Sequence, residues 1–414
     1  MSAPDRGRWL APLLVCHDCG LPQVQTALPG PGLVRCRRCG AVLRRVAPGS
    51  VHRAVHLNLA ALVLFAVANV HPFLDFTFEG RGQVVLLASG VVRLWQEGMP
   101  LLSGIVLAAS LLFPLAKMLA TLWALGPFLL GLRVVGQARA LRLADALRAW
   151  AMLDVFLLAV IVAWVKLADI AVLHPGVGLW AFAAALLLAT AADASLDHHD
   201  LWQRLAPQAT LARLDPGTGP LLGCPACDQV VVLRRGLSRA RCPRCGHAVH
   251  PPRAEAIARG WALLLTAFAF YVPANLLPVM TVTTLGRGEP STILGGVALL
   301  VEHGMYPVAA IVFTASVLVP LFKFLALGFL LVTAQRGTEA WRRERTLLYR
   351  IVEFVGRWSM VDVFVVALLV ALVDMGALAT IEAGTGITAF AATVIATMVA
   401  SASFDPRLIW NRPR

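Results

Sequence analysis

Long apolar stretches alternate with shorter polar connections along almost the whole chain. Each stretch has about the ~20 residues that a helix needs to cross a bilayer. The pattern predicts eight membrane spans in two sets of four, at residues 54–74, 100–125, 150–170, 176–195, 257–280, 305–333, 358–380 and 386–404. We therefore predict an all-α polytopic membrane protein.

The second span of each set carries the same polar positions. Gly98, Met99, Ser110, Pro114 and Lys117 recur 206 residues later as Gly304, Met305, Ser316, Pro320 and Lys323. A constant spacing over a long segment indicates an internal duplication. Because proline has no amide hydrogen, Pro114 leaves the carbonyl of Ser110, four residues earlier, without its helical donor. The motif predicts a bent, polar point inside the span.

Lysine has an unusual distribution in this chain. Of 36 basic residues only three are lysines, Lys117, Lys166 and Lys323, and all three fall in apolar stretches. A desolvated lysine can lose its proton whereas an arginine effectively cannot, so an intramembrane cation that must be neutralised is expected to be lysine. Lys117 and Lys323 lie near mid-span and are candidate functional residues. The alternative is that their ammonium groups extend to the lipid head groups.

Composition and charge fix the class of protein and its predicted topology. Hydrophobic residues make up 58% and charged residues 14% of the chain, and the mean hydropathy is +0.75, which excludes an ordinary soluble protein. Arginines concentrate in the N-terminal arm, the tail and the connections 126–149, 196–256 and 334–357. By the positive-inside rule, both termini and the central region are predicted to be cytoplasmic. Because these arginines are spread among loops, we predict no nucleic-acid binding from the net charge of +13.

All eight cysteines belong to two sets of paired CxxC motifs, one before each group of spans. The ligands predicted from these sets are Cys16, Cys19, Cys36 and Cys39, and Cys224, Cys227, Cys242 and Cys245. Two CxxC motifs at this separation place four thiolates around one tetrahedral Zn²⁺. A reducing cytoplasmic location argues against disulfides, and a dithiol redox pair or an iron site is the alternative. We predict two zinc ribbons with one structural Zn²⁺ each.

The third spans share the sequence WxMxDVF, which contains Asp154 in the first set and Asp362 in the second. Such a carboxylate either caps the first helical turn or pairs with a lysine on a neighbouring span. We place both aspartates in an intramembrane polar site, a predicted proton relay. Its members are Ser110, Lys117, Asp154, Ser316, Lys323 and Asp362, and the secondary candidates are Lys166, Asp169 and Asp374.

These features divide the chain into four parts: a zinc ribbon at 1–50, four spans at 51–204, a linker and second ribbon at 205–256, and four spans at 257–414. Parallel repeats with polar residues at depth and proline-bent helices fit a carrier or an energy-coupled extractor of a hydrophobic molecule. The sequence has no nucleophile paired with a base, no phosphate-binding glycine loop and no catalytic metal motif. We do not expect an enzyme.

The order of ribbons and spans, the WxMxDVF motifs and the terminal SxSFDPRLIW sequence resemble the paraquat-inducible protein A (PqiA/LetA) family. The resemblance implies tetraspanin-like four-span units in a bacterial inner-membrane protein. It also implies an intermembrane lipid transport system in which the protein loads or receives phospholipid for a periplasmic MCE-domain tunnel partner. By the same resemblance, the eight cysteines are metal ligands and the proton gradient drives transport.

Two hypotheses of different classes follow. In the first, protonation of the lysine–aspartate cluster in one half changes bundle packing and moves a phospholipid. In the second, the protein is a non-transporting zinc-ribbon scaffold that anchors the MCE partner, and the lysines and aspartates are dispensable. A redox sensor, which the family name suggests, would require reactive thiols.

Overall fold

The structure is a computed structural model that describes residues 13–24, 30–78, 81–167, 172–206, 219–234, 236–284, 287–372 and 379–411. The α-helices in these ranges are α1 Ser50–Val70, α2 Ser89–Gln96, α3 Pro100–Leu107, α4 Phe113–Leu129, α5 Gln137–Leu147, α6 Leu153–Leu167, α7 Val177–Ser195, α8 His198–Leu205, α9 Glu255–Leu276, α10 Ile293–Glu302, α11 Tyr306–Phe313, α12 Val319–Gln335, α13 Arg342–Trp358, α14 Val361–Leu372 and α15 Thr385–Ser403.

The strands of the described residues are short. They are β1 Leu13–Val15, β2 Pro22–Val24, β3 Gly32–Arg35, β4 Val42–Val46, β5 Leu74–Phe78, β6 Arg81–Val85, β7 Val172–Pro175, β8 Leu221–Gly223, β9 Val230–Val232, β10 Ala240–Arg241, β11 Ala248–Val249, β12 Met280–Thr284, β13 Arg287–Ser291 and β14 Ala379–Ala383.

The helices confirm a multi-span protein built from two repeats. Within the described ranges, seven helical segments are long and apolar enough to cross a membrane. The predicted third span is represented there by α6, which has 15 residues. In each half the first and fourth spans pack along each other, α1 against α7 and α9 against α15. The connection predicted at 334–357 is largely helix α13, which buries Thr346, Tyr349 and Val352 on one side.

The two halves share one hydrophobic core, and α14 lies at its centre. Except for Asp362, every side chain of α14 is buried. The helix packs against α6 and α2 of the first half, and the rings of Phe156 and Phe364 meet edge to face with centroids 5.4 Å apart. Gly90 in α2 approaches so closely that an added Cβ would lie 2.9 Å from the carbonyl oxygen of Ala367. The halves are therefore packed as one body.

The ends of the bundle differ. At the ribbon end, α1 and α9 begin directly after the two cysteine ribbons. At the opposite end, the sheet end, each half forms a three-stranded antiparallel sheet, ordered β6-β5-β7 and β13-β12-β14. The central strand of each sheet follows the first span and the third strand precedes the fourth. These sheets pair the backbone groups of the connections at that end.

The first ribbon packs against the second half. The Asp18 carboxylate accepts hydrogen bonds from the Arg350 guanidinium of α13, at 2.6 and 2.8 Å. The Arg38 guanidinium lies 4.4 Å from the centre of the Trp410 ring in the C-terminal tail, and Arg343 donates a 2.9 Å hydrogen bond to the Arg38 carbonyl. This ribbon also contacts the first half, since Arg44 lies 3.8 Å from Asp197.

The second ribbon packs against the first half. Its buried Leu222, Val231 and Val249 belong to one cluster with Val51 at the start of α1 and Trp202 of α8. The two ribbons also touch, because β1 lies beside β8. Each ribbon therefore packs against the other repeat, and each also makes a contact with its own, through Arg44 with Asp197 and through the His250 carbonyl with Arg407.

Two glycines allow close contact at the sheet end. A Cβ on Gly176 would lie 2.2 Å from the carbonyl oxygen of Pro72, and a Cβ on Gly384 would lie 2.2 Å from that of Pro278. No other residue fits without moving the backbone that links the first and fourth spans. Both halves therefore have a glycine at this equivalent position, packed against the carbonyl group of a proline.

We expect Gly384→Ala to destabilise the protein by ~1–3 kcal/mol, the usual cost of overpacking. The added methyl group would collide with the backbone carbonyl of Pro278. Thermal unfolding of the detergent-solubilised protein measures the change. Gly126→Ala is the matched control, since a Cβ at Gly126 in α4 has nothing within 4 Å. Equal unfolding temperatures for the two variants would contradict the close approach.

Candidate metal centres and intramembrane polar sites

Each ribbon brings its four cysteine sulfurs together. All four Sγ atoms lie within 4.8 Å of one another in both clusters. In the first, Cys16 to Cys39 is 3.5 Å and Cys19 to Cys36 is 3.6 Å. Tetrahedral Zn–S bonds of ~2.3 Å would separate the sulfurs by ~3.8 Å, which is close to these distances. The two clusters, which contain all eight predicted ligands, are therefore able to bind metal ions.

The backbone holds each CxxC motif in the same turn. The amide four residues after the first cysteine donates to that cysteine's carbonyl, for example Gly20 to Cys16 at 2.9 Å and Asp228 to Cys224 at 3.0 Å. The residue after the second cysteine has a positive φ in all four motifs: Gly20, Gly40, Asp228 and Gly246. A left-handed conformation favours glycine and tolerates aspartate, which explains the residues found there.

The serine–proline motifs form π-helical turns. Ala108–Leu112 and Thr314–Leu318 are π-helical and end two residues before the prolines at 114 and 320. The amide of Phe113 reaches back to the Ala108 carbonyl, five residues away, and the Ser110 hydroxyl donates a 2.7 Å hydrogen bond to the Val106 carbonyl. This rearrangement accommodates a proline that cannot donate. Ser110 and Ser316 are both buried.

In the first half, Lys117 forms an ion pair with Asp193 of the fourth span. Its Nζ donates to Asp193 Oδ2 at 2.5 Å, and Arg148 lies 3.9 Å from the same oxygen. The expected pairing of Lys117 with the third-span Asp154 is thus replaced by a pairing with Asp193. Asp193 is not among the residues predicted for the polar site, although it ends the fourth span on the side of Lys117.

A cavity of about 450 Å³ surrounds this ion pair. Lys117, Asp154 and Asp193 line it together with Arg148 and Arg357, which come from opposite halves. Asp154 lies in the first turn of α6, where its charge also stabilises the helix dipole. The carboxylates and cations of the first half therefore share one partly open, polar space.

In the second half, Lys323 is bound by neutral oxygens. Only 1% of the residue is exposed. Its Nζ donates to Thr397 Oγ1 at 2.6 Å, to Ser359 Oγ at 3.4 Å and to the Gly356 carbonyl at 3.5 Å. The structure thus holds the two repeated lysines in different ways.

The difference between the halves follows from two substitutions on the fourth span. With the fourth spans aligned at 208 residues, Ser401 stands where the first half has Asp193, and Thr397 stands where it has Ala189. The carboxylate that would pair with Lys323 is therefore absent from that position, and a hydroxyl one turn away replaces it. Both differences are visible in the aligned fourth spans, but the acidic end of the first is equally compatible with a contact to a ribbon or a loop arginine.

The remaining predicted residues are placed as follows. Asp362 lies in the first turn of α14, as Asp154 does in α6. Asp169 and Asp374 lie outside the described residues, as does the side chain of Lys166. The secondary candidates therefore stay predictions.

Comparison with known proteins assigns the chain to a family. The model described as Paraquat-inducible protein A matches residues 51–206 and 257–414. The chain belongs to the paraquat-inducible protein A family. It is 34% identical to the Intermembrane transport protein PqiA of Escherichia coli K12 over 404 residues, which cover 96% of this chain and 95% of the relative.

Two further family members are similar to this chain over most of their length. Lipophilic envelope-spanning tunnel protein A of Escherichia coli K12 is 32% identical, covering 91% of this chain and 86% of the relative. A Probable intermembrane transport protein of Haemophilus influenzae is 28% identical, covering 96% of both chains. No solved structure matches the chain. These relatives are named as transport and tunnel proteins, not as enzymes.

The Lys117–Asp193 pair yields a test by double substitution. Asp193→Asn alone should destabilise the protein by about 1–3 kcal/mol, because it leaves a partly buried ammonium without its counter-ion. Adding Lys117→Met should recover most of that loss, since no unpaired charge remains. Denaturation in detergent measures both variants. Additive losses would show that the two side chains do not interact.

Proposed function

We propose that this protein is the inner-membrane component of an intermembrane lipid transport system, which loads or receives phospholipid for a periplasmic MCE tunnel partner. The names of its relatives support intermembrane transport. The predicted topology, with termini and ribbons on the cytoplasmic side, is part of this proposal. The observation that carries it is the burial of Lys323 among neutral oxygens beside a π-helical turn.

We propose that Lys323 couples transport to the proton gradient. An intramembrane ionisable residue is costly and is retained for a function more often than for stability. Hydroxyl groups both donate and accept hydrogen bonds, so Thr397 and Ser359 can satisfy an ammonium or a neutral amine. In the structure, the Thr397 hydroxyl accepts from Lys323 and donates to the Val394 carbonyl at 2.8 Å. These hydroxyl ligands can therefore bind the Lys323 side chain either as an ammonium or as a neutral amine.

The first half is less suited to this role. Lys117 has the Asp193 carboxylate as its counter-ion, whereas the Nζ of Lys323 donates to neutral oxygens and forms no ion pair within 4.0 Å among the described residues. The second half also places its lysine next to the shared core, because the Lys323 Nζ donates to Ser359, two residues before α14 begins. A change of charge at Lys323 would therefore act on the helix that holds both halves together. We assign the coupling step to the second half.

We also propose that the metal in each ribbon is Zn²⁺. Four thiolates in a closed tetrahedron favour zinc, and a site without an open position has a structural role. When bound, the ion would hold together small ribbons that have little core of their own. Because each ribbon rests on the other repeat, we propose that the two ions stabilise the contact between ribbons and bundle.

The coupling proposal is tested with Lys323→Met and Asp362→Asn. We expect both variants to fold, and to transfer phospholipid to the partner at least about tenfold more slowly, which corresponds to ~1.4 kcal/mol in the activation barrier. Lipid transfer by protein reconstituted with its partner is the measurement. Thr333→Val is the control, because among the described residues the Thr333 hydroxyl donates only to carbonyls of its own helix, those of Phe329 and Leu330. Full activity in both variants would favour the scaffold hypothesis.

We further propose that phospholipid contacts the polar point beside Lys323 in the second half, and photocrosslinking tests this contact. A probe at Ala315, in the π-helical turn beside Ser316, should capture phospholipid more efficiently than a probe at Leu325, which is 75% exposed on the following helix. Equal capture at both positions would indicate ordinary bilayer contact.

Metal loss should affect the two repeats in a crossed pattern. We expect two zinc ions per chain by elemental analysis and one in either Cys19→Ser or Cys227→Ser. Loss of the first ion should raise hydrogen exchange in α13, which contacts that ribbon through Arg350. Loss of the second should raise it in α8 and at the start of α1. Exchange confined to the repeat that carries the substitution would contradict the crossed packing.

A further inference from the structure

A groove runs between the two halves, outside both four-span bundles. One wall is α3 with the following π-helical turn, and the other is α15. Its middle section has a volume of about 650 Å³ and is lined almost wholly by apolar groups, among them Leu101, Gly104 and Ile395. A further section of about 330 Å³ continues toward the sheet end and shares Leu101 and Ile395.

The groove becomes polar at the ribbon end. A section of about 410 Å³ shares Trp150 and Met398 with the apolar part. It is lined by cations of both halves and by two carboxylates, namely Arg148, Arg350, Arg357, Asp145 and Glu353.

Along α15 the groove extends from Ser401 to Thr388, which is about 20 Å at 1.5 Å per residue. That is roughly two thirds of the ~30 Å hydrocarbon thickness of a bilayer.

The arginines of the polar section differ in whether a carboxylate of the protein already binds them. Arg350 is bound by Asp18 of the first ribbon at 2.6 Å. Arg148 is 3.9 Å from Asp193, and Arg357 has no ion pair within 4.0 Å among the described residues. Arg148 and Arg357 also line the cavity of Lys117, so the groove and that cavity adjoin at these two side chains. They are the groups that can bind a phosphate.

Glu353 and Arg357 are one turn apart on α13 and both face the groove. Among the described residues, no ion pair within 4.0 Å joins the Glu353 carboxylate to the Arg357 guanidinium. Asp145, on the opposite wall, lies 3.8 Å from His198, and burial raises the pKa of its carboxyl group. A carboxylate that lacks solvation is stabilised by an added cation. The section therefore presents both carboxylates and guanidinium groups to a ligand in the groove.

We propose that this groove binds a phospholipid whose head group carries both a phosphate and a primary ammonium. The phosphate contacts Arg148 and Arg357, and the ammonium contacts Glu353 and Asp145. The acyl chains lie against Leu101, Gly104 and Ile395. A primary ammonium donates up to three hydrogen bonds, whereas a quaternary ammonium donates none and a glycerol head group has no positive charge. The inference deepens the proposed transport function, since it names a lipid class and an entry site for it.

The test compares dioleoyl phosphatidylethanolamine, phosphatidylglycerol and phosphatidylcholine by native mass spectrometry of the delipidated full-length protein. We expect the ethanolamine lipid to bind about tenfold more tightly than the other two, the effect of one charge-assisted hydrogen-bonded contact. Glu353→Gln should reduce its affinity to that of the choline lipid. Arg357→Gln should weaken all three.

Matched controls come from another charged pair at the ribbon end. Glu255 and Arg259 are also one turn apart, on α9, and are exposed and paired at 3.8 Å. Glu255→Gln and Arg259→Gln make the same changes in charge away from the groove and should not alter lipid preference. For the apolar part, Gly104→Leu should reduce retention of every lipid, because a Cβ there points into open space. Gly126→Leu, in equally open surroundings on the same span, should not.

Equal binding of the three lipids that none of the groove substitutions changes would mean ordinary annular lipid only, and would overturn the proposal. Tighter binding of phosphatidylglycerol would overturn the assignment of the ammonium to Glu353 and Asp145. Binding is measured without the partner or a proton gradient. Failure of the Lys323 transport test therefore leaves this proposal standing, and failure here leaves that one standing.

Discussion

The membrane interior cannot hydrogen-bond to protein, so each polar group placed there must find a partner within the chain. The elements in the middle of this protein follow from that constraint. The prolines at 114 and 320 each remove an amide donor, and the helix responds with a π-helical turn in which a buried serine lies. One turn beyond each proline, a lysine must also be satisfied. The same constraint accounts for the sheets, which pair the backbone of the connections at the opposite end.

The duplicated sequence satisfies its two lysines in two different ways. Lys117 has a carboxylate partner and lines an open polar cavity, whereas Lys323 is enclosed and bound by hydroxyls and a carbonyl. An ion pair fixes charge, while a set of hydroxyl ligands tolerates a change of charge. Duplication followed by divergence thus left one lysine with a carboxylate counter-ion and the other with neutral ligands. The shared core around α14 joins the two halves.

The ribbons add a second connection between the repeats. Each is small, and each rests on the bundle of the other repeat through particular contacts, Asp18 with Arg350 in one case and the cluster around Trp202 in the other. Arg350 contacts the first ribbon and also lines the groove between the halves. Order in the ribbon is therefore linked physically to the wall of the proposed lipid site.

The sequence alone determined the features that depend on composition and spacing. Apolar length gave the spans, the CxxC spacing gave both four-cysteine clusters, and the constant spacing of Ser110, Pro114 and Lys117 gave the duplicated polar points. These are local properties, because a helix, a metal knuckle and a proline bend each need only a few neighbouring residues.

Tertiary structure decided which distant groups meet. Asp193 rather than Asp154 pairs with Lys117, and Thr397 replaces a carboxylate at Lys323, because the fourth span packs where a third-span partner was expected. The crossed ribbons, the three-stranded sheets and the groove between the halves likewise arise from packing of segments far apart in the chain. Periodicity and spacing describe one segment at a time and carry no information on which faces of two segments come together.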